Sequence, residues 1–362
     1  MKKHFLLFLM ILFATFSIKA QPPSDMKIDA TTRTEVIEEL LKNLNKSYVY
    51  LETAKLMETD IRQRLKNKEY DQITSAAEFA KKLMQDLQAV SRDKHLRVYF
   101  SLEKIPLKNK KAAPTAEEKA AETFFRKRMN SGFEKVERLE GNIGYIQLSS
   151  FSDAEAGLET VASAMSFIAD TDALIFDLRR SGGGDPATVQ LISSYFFGDK
   201  PVHLNDIYYR EKNETISYWT KPNVAGRKYT DKPIFILTQS QTFSAGEAFA
   251  YNLKNLKRAT IIGEVTRGGA HAGDSVRLTD HFGMNMPMGR AISPITKTNW
   301  EGTGVTPDVI VPKEQALKVA YIMALNKAIE KVPYGYIKAA MKEIAEQTQK
   351  ELDEMKKEKS QK

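Results

Sequence analysis

Residues 233–256 set a fully apolar run directly before an apolar-periodic one, and few patterns restrict a fold more. The run Pro233-Ile-Phe-Ile-Leu-Thr238 shows no polar alternation, which predicts a strand covered on both faces. From Ala245 to Leu256 apolar residues recur at helical spacing. A strand passing at once into a helix is the unit of a layered α/β protein. Its connection, Gln241-Thr-Phe-Ser-Ala-Gly-Glu-Ala-Phe249, carries one serine at the turn with small residues directly after it. A serine there can be exposed as a nucleophile, while the helix N-terminus offers N–H groups and a positive dipole to a developing oxyanion. The same residues also read as an ordinary cap, with Ser244 at the N-cap and Glu247 completing a capping box.

Further strand and helix signals surround this unit. Ile143-Gly-Tyr-Ile-Gln-Leu148 alternates as a strand, 154–168 reads as a helix, and Ala173-Leu-Ile-Phe-Asp177 as a buried strand. A helix over 186–197 follows a glycine loop, short strands are predicted near 206–210, 215–219 and 259–262, and more follow up to Ile310. This alternation predicts an α/β layered core over 141–312. Upstream, Ile37, Leu40, Leu41, Leu44 and then Ala54, Met57, Ile61, Leu65 recur at helical spacing, continued over 76–87. They predict a small N-terminal helical domain over 27–100, its stripes being core faces. Residues 103–135, rich in Lys, Ala and Glu, read as a linker and a surface helix near 116–128. Two helices split near Pro333 are expected over 314–362, with the charged end from Lys342 projecting or fraying.

The first 20 residues read as a signal peptide. Lys2 and Lys3 precede the apolar run Phe5 to Ala14, and a small-residue site ends at Ala20. The run is shorter than the ~20 residues a membrane-spanning helix needs. The mature chain is therefore expected to be exported, periplasmic or secreted, with no integral membrane span. Formal net charge is +8, and loss of Lys2, Lys3 and Lys19 leaves +5. The remaining lysines are interspersed with acidic residues, a solvated surface and not a nucleic-acid footprint. The chain has no cysteine, which excludes thiol nucleophiles, thiolate metal sites and disulfides.

Asp177-Leu-Arg-Arg-Ser-Gly-Gly-Gly-Asp185-Pro186 follows a buried strand and opens a helix. The pattern lacks the lysine of a phosphate loop and the spacing of a dinucleotide site. Its glycines let backbone approach a ligand and offer an oxyanion donor, or they simply turn the chain. A serine nucleophile needs a base. The mature histidines are His95, His203, His271 and His281, of which His95 and His271 lie near glycine-rich or strand-edge segments. Glu301 could orient an imidazole. No HExxH or comparable pairing is present, so neither a metal nor a cofactor is expected.

Five stretches occur in order: Gly144-Tyr-Ile, Asp177-Leu-Arg-Arg-Ser-Gly-Gly-Gly184, Thr242-Phe-Ser-Ala-Gly-Glu247, Lys257-Arg-Ala-Thr-Ile-Ile-Gly-Glu-Val-Thr266, and Gly302-Thr-Gly-Val-Thr-Pro-Asp308. Together they resemble the serine peptidases that include the C-terminal processing proteases, the tricorn core protease and interphotoreceptor retinoid-binding protein. Tyr48-Val-Tyr50 and Asp93-Lys-His95 resemble the N-terminal domain of the retinoid-binding-protein-like branch. The resemblance implies a crotonase-like β/α spiral and peptide hydrolysis through Ser244, often with recognition of C-terminal ends. It also implies homo-oligomer formation in some members, and no PDZ-like segment is evident here. The processing proteases supply a lysine base from a later glycine loop, whereas this chain has Gly268-Gly269-Ala270 there. The tricorn-like branch implies His95 as base and Glu301 from the later loop, with a serine before the histidine where this chain has Lys94. His271, near the vacant lysine position, stays open as an alternative base. Ala245 and Gly183 are the expected oxyanion donors. The competing function is a non-catalytic hydrophobic-ligand-binding protein on the same fold, and a third is an envelope scaffold docked through the charged C-terminal helix.

Overall fold

The computed structural model describes residues 25–107 and 115–360. The signal peptide expected over 1–20 lies outside them. The chain opens with three helices, α1 (Ala30–Ser47), α2 (Leu51–Lys66) and α3 (Ala76–Ser91), followed by β1 (Arg97–Phe100). Asp29 caps α1 by accepting the Thr32 N–H at 2.8 Å, and Ser75 caps α3 by accepting that of Glu78 at 3.0 Å. These bonds satisfy donors that the first helical turn leaves open. Next come α4 (Ala116–Arg128), β2 (Phe133–Leu139), β3 (Ile143–Leu148), α5 (Ala154–Phe167), β4 (Ala173–Asp177) and α6 (Pro186–Ser194). Then follow β5 (His203–Tyr209), β6 (Glu214–Trp219), β7 (Ile234–Thr238), α7 (Ala245–Asn255), β8 (Thr260–Gly263), β9 (His271–Arg277) and β10 (Phe282–Ile292). β11 (Val309–Ile310), α8 (Lys313–Lys331) and α9 (Gly335–Ser360) end the chain.

One six-stranded sheet has the order β11-β8-β7-β4-β3-β2, parallel throughout except for the antiparallel edge strand β2. Alternation along its strands builds two cores. Ile146, Leu174, Phe176, Ile234 and Ile236 face α5, α6 and α7 with Phe249 and Leu253. Ile143, Ala173, Ile175, Phe235 and Leu237 face α8, which presents Ala316, Ala320, Ala324 and Ala328. Small side chains let that helix lie close on the sheet. The result is the expected α/β layering, with the C-terminal strand ends and their loops gathered on one rim.

The second sheet is antiparallel, with β1-β10-β5-β6 in order and β9 also paired to β10. Phe282, Met284 and Met286 of β10 pack into the apolar stripes of α1–α3. The helical segment is thereby fastened to the strand that also carries the loop behind the functional site.

Two expectations need correction. Residues 133–135 belong to β2 and not to a linker; Glu134, Lys135, Glu137 and Arg138 mask its alternation, as charge often does on an edge strand. The segment from Lys342 does not fray: α9 runs to Ser360 and buries Met341, Ala345 and Leu352, with Met341 and Ala345 in the core shared with α8. No helix among the described residues is long and apolar enough to cross a membrane.

Candidate active site

Ser244 occupies the turn between β7 and α7 with φ 54° and ψ −119°. A non-glycine residue pays roughly 1–3 kcal/mol for such backbone, and strain of this kind gathers at functional sites. The turn is held from the loop after β4: the Phe243 N–H donates to the Ser181 carbonyl at 3.1 Å, and Thr242 Oγ1 to that of Leu178 at 2.9 Å. Gly183 lies in that loop with φ +108°, where an added Cβ would stand 2.6 Å from Ser244 Cβ and 3.2 Å from Ala245 N. Only glycine allows this approach. Neither the Gly183 N–H nor the Ala245 N–H donates to a protein acceptor among the described residues. Two backbone donors therefore stand beside the serine, as an oxyanion site requires.

Glu247 on the first turn of α7 is fully buried. It accepts the Ser244 N–H at 2.9 Å. Its carboxylate also accepts the Thr266 hydroxyl at 2.5 Å and the N–H groups of Gly268 and Gly269 at 2.6 and 2.9 Å. Burial pushes its pKa up while these donors pull it back.

His95 follows α3 and its N–H donates to Asp93 Oδ1 at 2.9 Å. Its ring stacks on Phe243, the residue before the serine, with centroids 4.3 Å apart and 27° between planes. Gly269 closes over both rings: a Cβ there would lie 2.2 Å from Phe243 Cε2 and 2.7 Å from His95 Cε1. Neither ring nitrogen of His95 has a protein partner. Burial pushes its pKa down to about 4, so the ring is neutral near pH 7.

His271 begins β9 with Nδ1 2.7 Å from Asp93 Oδ2, which also accepts the buried Tyr48 hydroxyl at 3.1 Å. Its Nε2 is buried and unpartnered. Burial opposes the charged ring, but the bond and charge of Asp93 prevail and raise its pKa. Burial pushes Asp93 upward, but the bond and charge of His271 together with the His95 N–H and ring hold it below its ordinary value. Glu301 accepts the Ala270 N–H at 2.5 Å and lies 3.6 Å from His271 Nδ1. Burial lifts its pKa to about 7, with the charge of His271 pulling it back.

His95, His271, Ser244, Ala245 and Gly269 line one cavity of roughly 320 Å³, walled by Val189, Ile207, Tyr209, Tyr218 and Trp300. His203 pairs with Asp206 and His281 faces the Ser101 carbonyl, and neither lines it. Every residue predicted for the site is near it, but two partnerships differ. Both ring nitrogens of His95 and Nε2 of His271 are without partners among the described residues, so neither ring is hydrogen-bonded to Ser244. No hydrogen bond or ion pair joins Glu301 to His95 among the described residues; Glu301 meets His271 instead. Lys94, at the position of the relay serine, donates from Nζ to the Arg267 carbonyl and braces the glycine loop. The sequence reading missed the role of Asp93, which touches both histidine segments, and took Glu247 only as a cap. Asp93, His271 and Glu301 each offer one ligand atom within 4.8 Å of the others. Such a set could hold a cation, although the close Asp93–His271 hydrogen bond already engages two of the three.

Residues 142–311 match peptidase family S41, and residues 30–135 match the N-terminal domain of Peptidase S41 in eukaryotic IRBP. The carboxy-terminal-processing protease of Bartonella bacilliformis is 29% identical over 194 residues, which is 51% of this chain and 42% of that protein. The chain spans less than half the length of the curated relatives it matches. A lipoprotein from Streptococcus agalactiae shares the fold with a TM-score of 0.56 at 17% identity, covering 86% of this chain and 99% of that one. The photosystem II D1 C-terminal processing protease superposes with a TM-score of 0.50 at 16% identity, covering 78% and 94%. With the glycine loop, the serine turn and the helical segment each falling within the matched stretches, this chain belongs to peptidase family S41.

Proposed function

We propose that the chain is an exported serine peptidase that cleaves peptide bonds through an acyl-enzyme on Ser244. The observation that carries this reading is the strained Ser244 turn, with two unengaged backbone N–H groups beside it and an unpartnered neutral imidazole in the same cavity. His95 takes the Ser244 hydroxyl proton as the oxygen attacks the substrate carbonyl. The N–H groups of Gly183 and Ala245 hold the oxyanion. His95 then returns the proton to the leaving amine, and water releases the acyl group. The substrate is a peptide or protein chain, and the likeness to the processing proteases supports action at C-terminal ends. The crotonase-like spiral stays part of this reading, supported by the parallel β3, β4, β7 and β8 run.

A second assignment of the base has its own support. His271 Nδ1 is fixed by Asp93, which leaves Nε2 as the acceptor and favours the imidazolium, as the acid of a serine triad does. A pure ligand-binding role is disfavoured, because it has no use for buried imidazole nitrogens left without partners beside a strained serine. The test is hydrolysis of a peptide library by the mature protein beside Ser244→Ala, His95→Ala and His271→Ala. Ser244→Ala is expected to lose turnover, and full turnover in that variant would refute the reading.

A further inference from the structure

We infer that Glu247 is a positioning residue that locks the nucleophile turn to the loop carrying the opposite wall of the site. The inference rests on the reading of Ser244 as nucleophile and assigns a function to a buried carboxylate that this mechanism leaves unused. Glu247 accepts four hydrogen bonds: from the Ser244 N–H at the N-cap of its own helix, and from the Thr266 hydroxyl and the Gly268 and Gly269 N–H groups on the loop between β8 and β9. A helix cap needs only the first of these contacts. The other three tie α7 to a loop 19 to 22 residues downstream, in which Gly269 lines the cavity. Gly269 packs on Phe243 and His95, and its carbonyl accepts the Trp300 Nε1–H at 2.7 Å. The Gly268 carbonyl accepts the Gly302 N–H at 3.2 Å, and the next residue, Ala270, donates to Glu301. Thr266 Oγ1 accepts the Val305 N–H at 2.7 Å while donating to Glu247. One carboxylate thereby sets the serine, the imidazole wall and the 300–305 loop in a single frame.

Only a carboxylate can accept four such bonds at once, because the amide of glutamine turns two donor hydrogens toward donors. Glu247→Gln keeps volume and shape but breaks this pattern. The test is the rate of fluorophosphonate labelling, together with amide hydrogen exchange, in the full mature chain. In Glu247→Gln, labelling is expected to slow on the order of 10²-fold, the effect of a misplaced reacting group. The amides of Gly268 and Gly269 are expected to exchange at least ~10-fold faster, with other protected amides unchanged. Glu247→Asp, which keeps the charge, should recover part of the rate. Wild-type labelling with unchanged exchange in Glu247→Gln overturns the inference. If Glu247→Gln does not fold, Thr266→Val removes one donor and leaves three, and the same pattern at smaller amplitude is required. A wild type that does not label refutes the nucleophile assignment, while the exchange of Gly268 and Gly269 still decides the role of Glu247.

Discussion

Asp93 Oδ2 lies 2.7 Å from His271 Nδ1, while Oδ1 of the same carboxylate accepts the backbone N–H of His95. A single buried acid from the helical segment therefore touches both candidate bases. It fixes the ring of one and only the backbone of the other. The two imidazoles are driven in opposite directions: burial takes His95 down to about 4 against the charge of Asp93, whereas the bond and charge of Asp93 overcome burial and raise His271.

That divergence makes the pH profile of kcat/KM diagnostic, since its acid limb reports the pKa of the base in the free enzyme. With His95 as base, activity is expected to hold from neutrality down to pH 5 and to fall with a midpoint near 4. With His271 as base, the midpoint lies above the ordinary histidine value of 6.5. Hydrolysis rates across pH 3.5–8 separate the two, and the limb should vanish only in the variant of the true base.

Gly269→Ala should abolish turnover while leaving most of the fold intact. Its Cβ would enter the Phe243 ring and press on His95, displacing the stacked pair. Overpacking of this kind costs typically 1–3 kcal/mol of stability. Thermal unfolding with peptide hydrolysis checks both halves, and a variant of wild-type activity would remove His95 from the mechanism.

Gly183→Ala tests the oxyanion site. At φ +108° a Cβ is strained as well as 2.6 Å from that of Ser244. The expected loss in kcat is roughly 10²–10³-fold, the effect of removing one such donor, with little change in KM. Steady-state kinetics on one peptide decides it.

Stability should carry a hidden pH dependence. His95 has a folded pKa near 4 against 6.5, so the unfolded chain binds more protons between these values, and His95 lowers stability as pH falls from 6.5 to 4. Glu301, near 7 against 4.5, does the reverse and lowers stability as pH rises from 4.5 to 7. Each effect amounts to about 3 kcal/mol at most. They oppose one another in the wild type. Denaturant titrations at pH 5 and 7 should find His95→Gln more stable at pH 5 and Glu301→Gln more stable at pH 7.

The parallel sheet was legible because its strands are covered on both faces, so Ala173–Asp177 and the run before Ser244 stand out as unbroken apolar stretches. The serine turn was legible for the same reason, as a strand ending in small residues before a helix. The antiparallel sheet was harder to read. β10 alternates Met284 and Met286 with Asn285 and Pro287, and its partners β1 and β5 come from distant parts of the chain. Within the site, individual residues were legible but their pairing was not. Asp93 and His271 are separated by 178 positions, and only the docking of α1–α3 on β10 brings them together. Glu247 shows its limit most clearly, because three residues after a serine it looks like a cap, and its contacts with Gly268 and Gly269 are invisible to local pattern.

The most direct test of Ser244 as nucleophile is mass-spectrometric mapping of the mature protein after fluorophosphonate treatment at pH 7. The expected result is a single adduct on Ser244, absent after heat denaturation and lost or much slowed in the variant of the true base. An unmodified Ser244 in folded protein, or an adduct elsewhere that persists in Ser244→Ala, would contradict it.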